Sequence, residues 1–246
     1  MQLTVVGCSG SFPGPDSPAS CYLLEHEGSR ILLDMGNGSL GALQRYADIY
    51  RIDAVVLSHL HVDHFIDLCS YYVALRYRPG GLEQRIPVWG PTDTEARLAT
   101  AYGLAASTEI TYGFDVRQIE RSFAIGPFQI TTAPMRHPVE ARAIRVDAGG
   151  RSLTYSGDTG PTPQLSELAQ GSDLALFEAS FLSTADNPPD LHLTAQQAAE
   201  HAAAADCGQL LLTHLVPWND SAETLAEAQA VFPEARLASP GLTVAV

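Results

Sequence analysis

Ser58-His59-Leu60-His61-Val62-Asp63-His64 places three imidazoles and a carboxylate within six residues, directly after the apolar run Ala54-Val55-Val56-Leu57. Neutral imidazole and carboxylate are the usual ligands of a borderline metal such as zinc. At this spacing a tight turn can point His59 and His61 one way and Asp63 and His64 another. The apolar run reads as a buried strand, so the cluster is delivered at a strand end. A fold for this chain has to present that turn as a site.

Composition narrows the class. The 246 residues are 46% hydrophobic and 17% charged, which is globular and enough for a sizeable core. Residues 1–246 are read as a single domain, since no internal repeat or low-complexity linker interrupts them. No stretch approaches the roughly 18 apolar residues that span a bilayer. Met1-Gln2-Leu3-Thr4-Val5-Val6-Gly7 reads as a first strand and not as a basic leader. Cys8, Cys21, Cys69 and Cys207 are scattered without a Cys-x-x-Cys pair, the usage of reduced thiols in a cytoplasmic protein. The formal net charge is −14 and lysine is absent, so all 14 basic side chains are arginines. A protein that grips a long polyphosphate backbone carries a basic surface. This balance disfavours a large nucleic acid and suits a small anion held by divalent cations.

Periodicity and punctuation predict strands over 2–7, 21–26, 30–33, 54–57, 86–89, 114–119, 128–133, 142–146, 152–155, 174–177 and 210–213. Helices are predicted over 39–48, 65–75, 91–103, 194–206 and 221–231. Glu27-Gly28-Ser29 and Ala148-Gly149-Gly150 are hairpin turns, Thr194 and Gln197 form a capping box, and Gly208 is the stop of that helix. The Gly-, Ser- and Pro-rich loop from Cys8 to Pro18 lacks the lysine of a P-loop. It is either a surface connection or a wall of the active-site cleft. His26 is read as solvated and His201 as structural or solvent-facing.

Seven ligand-type residues fall at strand ends: His59, His61, Asp63, His64, His137, Asp158 and His214. One ion needs fewer, so the number suggests two. The natural division gives His59, His61 and His137 to one ion and Asp63, His64 and His214 to the other, with Asp158 bridging. Two ions about 3.5–4 Å apart share a water, lower its pKa and clamp the oxygens of an in-line displacement. Asp34, at a strand end ahead of a glycine turn, is placed to support the metal loop.

These residues carry a resemblance. The His-x-His-x-Asp-His motif, His137, Ser156-Gly157-Asp158-Thr159 and Thr213-His214 resemble the metallo-β-lactamase superfamily over nearly the whole chain. The resemblance implies an α/β fold, a four-layer αββα sandwich with the dinuclear site along one edge, and makes Asp34 the buttress of the metal loop. Leu176-Phe177-Glu178-Ala179-Ser180 resembles the His-Glu-Ala-Thr loop of the phosphodiesterase branch that includes ribonuclease Z. Phe177 replaces its histidine and Ser180 its threonine. His192-Leu193-Thr194 resembles that branch's His-x-Thr element. Carried over, His192 is the general acid and Glu178 orients it; in the mechanism expected from this, Asp63 also steers the attacking water while holding its metal. The plainer reading is that His192 only caps the next helix.

Two departures argue against ribonuclease Z itself. That family inserts a long tRNA-gripping arm between the counterparts of His137 and Asp158, which here are 21 residues apart with a hairpin between them. The acidic balance points the same way. Thr4-Val5-Val6-Gly7-Cys8-Ser9-Gly10-Ser11, Gly14-Pro15-Asp16-Ser17-Pro18-Ala19-Ser20, Gly41-Ala42-Leu43-Gln44-Arg45 and Pro188-Pro189-Asp190-Leu191-His192-Leu193 look like the actinobacterial atypical class II cyclic-AMP phosphodiesterases. The expected function is hydrolysis of a small cyclic nucleotide, foremost 3′,5′-cyclic AMP to AMP. The expected cofactors are two divalent ions, with zinc favoured and manganese or iron as alternatives. The expected partner is the nucleotide substrate, with no membrane and a homodimer suggested by relatives. The alternatives are an RNA-processing phosphodiesterase of the ribonuclease Z kind, a non-catalytic metal-binding scaffold or sensor, and, more weakly, β-lactam hydrolysis.

Overall fold

Apolar residues on the strands alternate between buried layers. In β1 (Gln2–Gly7), Leu3 and Val5 enter one layer and Val6 another; in β2 (Cys21–His26), Tyr22 and Leu24 part in the same way from Cys21 and Leu23. Side chains on a strand point to opposite faces with a period of two. A strand that is apolar at nearly every position must therefore be covered on both faces. The computed structural model, which describes residues 1–246, meets that demand with two sheets between two helical layers.

The first sheet adds β3 (Ser29–Leu33), β4 (Ala54–Val56), β5 (Ile86–Gly90) and β6 (Phe114–Gln118) to β1 and β2 in sequence order, with β14 (Thr243–Ala245) on the outer side of β1. It is antiparallel from β14 to β3 and parallel from β3 to β6. The second sheet runs β7 (Ser122–Ile125), β8 (Phe128–Pro134), β9 (Arg142–Ala148), β10 (Arg151–Tyr155), β11 (Leu174–Glu178), β12 (Leu210–Thr213), β13 (Arg236–Leu237). It is antiparallel up to β10 and parallel beyond. Leu24, Leu33 and Val56 meet Ile144, Leu153 and Leu176 in the layer between the sheets. Outside the first sheet lie α1 (Ser39–Leu43), the single turn α2 (Val62–Phe65), α3 (Asp67–Arg76) and α4 (Thr94–Tyr102). Outside the second lie α5 (Pro163–Ala169), α6 (Ala195–Ala204) and α7 (Ser221–Gln229). This is the expected αββα sandwich.

The predicted strands and most helices are present, with instructive differences. The helix expected over 39–48 ends at Leu43, where Arg45 N–H on Ala42 O and Tyr46 N–H on Leu43 O tighten the chain into turns. It does not resume because Asp48 is extended and its carboxylate accepts the Tyr50 N–H, starting a 3-10 turn at Ile49–Arg51. The helix expected over 65–75 is divided at Ile66 into α2 and α3. Thr194 and Gln197 do form the capping box of α6. Its stop is Asp206, not Gly208: Asp206 sits at φ 52, with Asp206 N–H on Ala203 O and Cys207 N–H on Ala202 O, a Schellman closure. Strands β7, β13 and β14 and helix α5 were not anticipated. β13 has two residues and β14 three, and such edge strands exist only because a partner is there to pair with. His26 is half-buried, its ring against Phe128, and not solvated. His201 is structural, with its Nδ1 2.7 Å from the Ser166 hydroxyl on α5. All four cysteines are unpaired.

The parallel strands β3, β4, β10, β11 and β12 each release a functional residue just past, or at, their C-terminal ends: Asp34, the Ser58–His64 turn, Asp158, Glu178 and His214. The carboxyl ends of parallel strands are where open α/β sheets bind ligands.

Candidate metal centre

Two of these strand ends are strained. Asp34 lies at φ 58 and His214 at φ 53, a left-handed conformation that non-glycine residues rarely adopt and that clusters at functional sites. Asp34 is fully buried and works as a hub. Its Oδ1 accepts the Ser58 N–H (2.7 Å). Its Oδ2 accepts the Ser58 hydroxyl (2.7 Å), the His64 Nδ1–H (2.8 Å) and the Tyr155 hydroxyl (2.8 Å).

The fold gathers all seven ligand-type residues into two sets that share Asp158: His59, His61, His137 and Asp158, and Asp63, His64, Asp158 and His214. Within each set the ligand atoms lie within 4.8 Å of one another. In the first, His61 Nδ1 is 3.1 Å from His59 Nε2 and 3.0 Å from His137 Nε2. In the second, His214 Nε2 is 3.2 Å from His64 Nε2 and 3.0 Å from Asp63 Oδ2. Asp158 Oδ2 lies 3.6 Å from His59 Nε2 and 3.5 Å from His214 Nε2, facing both sets.

Hydrogen bonds on the far side of four of the rings decide what their nitrogens present to one another. The Ser58 hydroxyl gives its proton to Asp34, so His59 Nδ1–H donates to Ser58 Oγ (3.0 Å). His64 Nδ1–H goes to Asp34, His137 Nδ1–H to the Leu191 carbonyl (2.9 Å) and His214 Nδ1–H to Ser180 Oγ (2.7 Å). In neutral imidazole the other nitrogen is then an unprotonated acceptor. Four Nε2 lone pairs thus turn inward at separations that only a shared cation makes favourable. Nitrogens bound to zinc at about 2.0–2.1 Å are roughly 3.3 Å apart in a tetrahedron, close to the distances here. Asp158 Oδ1 is moreover buried with no hydrogen-bond partner. Donor set, tautomers and orphaned oxygen all fit divalent metal ions, and orienting bonds of this kind are typical around metal-bound histidine.

Electrostatics agree. Burial lowers His59 well below the usual imidazole value, and lowers His61 and His137, favouring the neutral form that binds metal. Burial also opposes ionisation of Asp63 and Asp158, yet the facing histidines outweigh it and hold both carboxyls ionised. For His64, burial is overcome by Asp158 and Asp34, which raise its affinity for a proton; a metal ion at Nε2 answers the same demand. His59, His64 and His214 are fully buried, whereas His61, His137 and His192 are only half-buried. The centre therefore opens on their side.

His192 stands at that opening, its ring centroid 5.5 Å from His137 and 5.4 Å from His214. It caps nothing: Thr194 is the N-cap of α6. Its Nδ1–H donates to Glu178 Oε1 (2.9 Å), which also accepts the Thr159 N–H (2.8 Å). Burial pushes His192 down, but the Glu178 carboxylate prevails and raises it to about 9. Glu178 Oε2 accepts the Ser180 hydroxyl (2.8 Å), whose oxygen in turn receives His214 Nδ1–H. Glu178 thereby orients His192 directly and His214 through Ser180.

The Cys8–Pro18 loop is a wall of the site. Gly10 N–H bonds to Leu215 O (3.0 Å), and Ser11 N lies 3.3 Å from His214 Nε2. A Cβ on Gly10 would stand 2.4 Å from the His214 carbonyl oxygen, so only glycine permits this approach.

A family model described as the beta-lactamase superfamily domain matches residues 29–215. The chain belongs to the metallo-β-lactamase superfamily. Within the superfamily it is 43% identical over 239 residues to the uncharacterised protein Rv1339 of Mycobacterium tuberculosis, covering 94% of this chain and 87% of the relative. It is 31% identical over 235 residues to the probable metallo-hydrolase YhfI of Bacillus subtilis, covering 94% of each. The crystal structure of YhfI, a metallo-β-lactamase-fold protein, superposes with a TM-score of 0.89 at 28% identity over 99% of this chain and 98% of that one. A ribonuclease Z of Bradyrhizobium diazoefficiens is 29% identical, covering 96% of this chain and 97% of the relative, in an alignment of 296 positions that is longer than the chain. Membership places the centre in a family of metal-dependent hydrolases. No helix is long and apolar enough to cross a membrane.

The seven ligand-type residues, with Asp34, Glu178 and His192, all lie at or beside this centre. Missed were the roles of Ser58 and Ser180, which are in the quoted motifs but were given no task, and of Tyr155 and the Leu191 carbonyl. Ser58 and Ser180 sit beside ligand or acid residues, which is a usable signal. Nothing in the sequence marks Tyr155 or a main-chain oxygen.

Proposed function

We propose that this chain is a two-metal phosphodiesterase that hydrolyses a small cyclic nucleotide, foremost 3′,5′-cyclic AMP to AMP. The observation that carries the reading is the pair of buried Glu178 and half-buried His192 set against two ligand sets that share Asp158. Divalent ions, zinc foremost, held by those two sets would lower the pKa of water and neutralise charge developing on phosphoryl oxygens. The chain's own groups do the rest. His192, protonated at neutral pH, gives its proton to the departing ribose oxygen while Glu178 fixes its tautomer and steadies its charge. Asp63, an ionised carboxylate of the second ligand set, accepts a hydrogen bond from the attacking water and aims it while it would also hold its metal.

Three observations support a small substrate. Asp158 follows His137 by 21 residues, and the hairpin of β9 and β10 fills that interval. The ribonuclease Z relative needs an alignment longer than this chain. The net charge is −14, unfavourable for gripping a long polyanion. The runs resembling atypical class II cyclic-AMP phosphodiesterases support the nucleotide itself. The deciding experiment assays metal-analysed protein on cyclic AMP, cyclic GMP, 2′,3′-cyclic nucleotides and a tRNA precursor. Turnover of cyclic AMP ahead of the others is expected; preferential cleavage of the tRNA precursor would sink this reading.

A further inference from the structure

We propose that Phe12 and Trp218 form the surface on which the aromatic base of the substrate stacks, which makes them specificity-determining residues of the same site. The proposal rests on the phosphodiesterase reading above and adds the part of the substrate that the metal ligands do not touch.

Trp218 is 72% exposed and Phe12 38% exposed, yet their rings touch, with centroids 5.2 Å apart and planes inclined by 39°. A single exposed aromatic is unremarked on a protein surface. Two rings brought together and left open to solvent form an apolar platform, and the other tryptophan, Trp89, is packed away under Phe123. Both rings are rooted in the segments that meet at His214. Cys8 O accepts the Leu215 N–H (2.8 Å), Leu215 O accepts the Gly10 N–H, and Gly14 packs toward the Pro217 ring. On the Trp218 side, Asn219 N–H closes a turn on Val216 O (3.0 Å), and Asn219 Nδ2 donates to Ser180 O (2.8 Å).

The geometry at Ser11 links platform and centre. Phe12 N–H bonds to Gly10 O (2.7 Å) around Ser11 at φ 62, a three-residue turn of a strained type. The Ser9 hydroxyl locks it by donating to Phe12 O (2.7 Å). The turn brings the Ser11 N to 3.3 Å from His214 Nε2, beside the centre, and sends Phe12 outward, one peptide link (about 3.8 Å between Cα atoms) further on. A nucleoside cyclic phosphate carries phosphate and base on opposite sides of one ribose. A phosphate bound at the opening beside His192, whose ring centroid is 5.4 Å from that of His214, would direct the base toward the loops that hold Phe12 and Trp218. Stacking needs no cation, which suits a chain with no lysine.

The test uses full-length, metal-loaded protein. AMP and ribose 5-phosphate are titrated by calorimetry and by tryptophan emission, and KM for cyclic AMP is measured in parallel. AMP is expected to bind at least about tenfold more tightly than ribose 5-phosphate, the order that base–aromatic stacking provides, and to quench Trp218. Trp218→Ala and Phe12→Ala should each weaken AMP binding and raise KM by about tenfold with kcat nearly constant, and Trp218→Phe should recover most of the loss. Equal binding of AMP and ribose 5-phosphate, or wild-type KM in Trp218→Ala, overturns the stacking surface while the phosphodiesterase reading stands. If no cyclic nucleotide is turned over but an aryl phosphodiester is, with a KM that depends on Trp218, the nucleotide reading falls and the aromatic platform remains.

Discussion

One oxygen atom, Asp34 Oδ2, accepts three hydrogen bonds that set the His64 tautomer, hold Ser58 and anchor Tyr155. Asn shares Asp's tolerance of the left-handed backbone, but its amide N–H₂ at that position would face three donors. Asp34→Asn is therefore expected to cost about 3 kcal/mol of stability and to lower metal content, measured by denaturant titration and metal analysis. The acid pair makes a sharper prediction. His192→Ala should reduce kcat by about 10²–10⁴-fold with metal content intact; loss of the metals in that variant would make His192 structural. The raised pKa of His192, about 9, sets the sign of the pH dependence. Imidazolium is present at neutral pH and is lost as pH rises through the folded-state value. Bound cations lower that value, so the alkaline limb of the pH–rate profile is expected at or below about 9. Glu178→Gln removes the largest opposition to burial, leaving Asp158 as the weaker one, and should move the limb acidward by about a unit or more; an unmoved limb would remove Glu178 from the acid.

At the scale of elements, the centre depends on loops pressed tightly together at the strand ends. A Cβ on Gly36 would lie 1.9 Å from the Asp63 carbonyl oxygen, so the turn after β3 and the turn that carries the histidines touch without a side chain between them. Gly36→Ala must move one of the two. Its effect should fall on the Asp63–His64 side of the centre, with metal stoichiometry falling toward one ion per chain while far-ultraviolet dichroism stays native, since the sheets lie outside the contact. The helices show the complementary case. The buried face of α6 is Ala195, Ala198, Ala199 and Ala202, whose small side chains let the helix lie close to the strands that carry Glu178 and His214.

For the whole molecule, six of the eight histidines converge on one edge, drawn from both sheets. Ions that bind only the folded chain stabilise it, by about 2.7 kcal/mol at a hundredfold excess over the dissociation constant. For a domain of this size that corresponds to roughly 5–10 °C in Tm. Exhaustive chelation is expected to lower Tm by that order, and zinc to restore it, read by scanning calorimetry. An unchanged Tm would mean that the centre holds no ion under those conditions.

The metal ligands were legible in the sequence because chemistry confines them: imidazoles and carboxylates at strand ends, four of them within His59–His64, have few structural uses. The αββα class was legible through the resemblance that the ligand motifs carry, and strands such as β1 and β2, apolar at nearly every position and so in need of cover on both faces, agree with it. Helix limits set by local competition were not, as at Asp48 and Asp206, where a side chain or a left-handed residue ends what periodicity would continue. Nor were the edge strands β13 and β14, which draw their hydrogen bonds from a neighbour far away in the chain. Tertiary structure alone decided which nitrogen of His59, His64, His137 and His214 faces the centre, because that choice belongs to Ser58, Asp34, the Leu191 carbonyl and Ser180 on the far side of the rings. The sequence determined which atoms could bind metal; the face-to-face packing of the two sheets, which brings their strand ends together along one edge, decided that they point at one another.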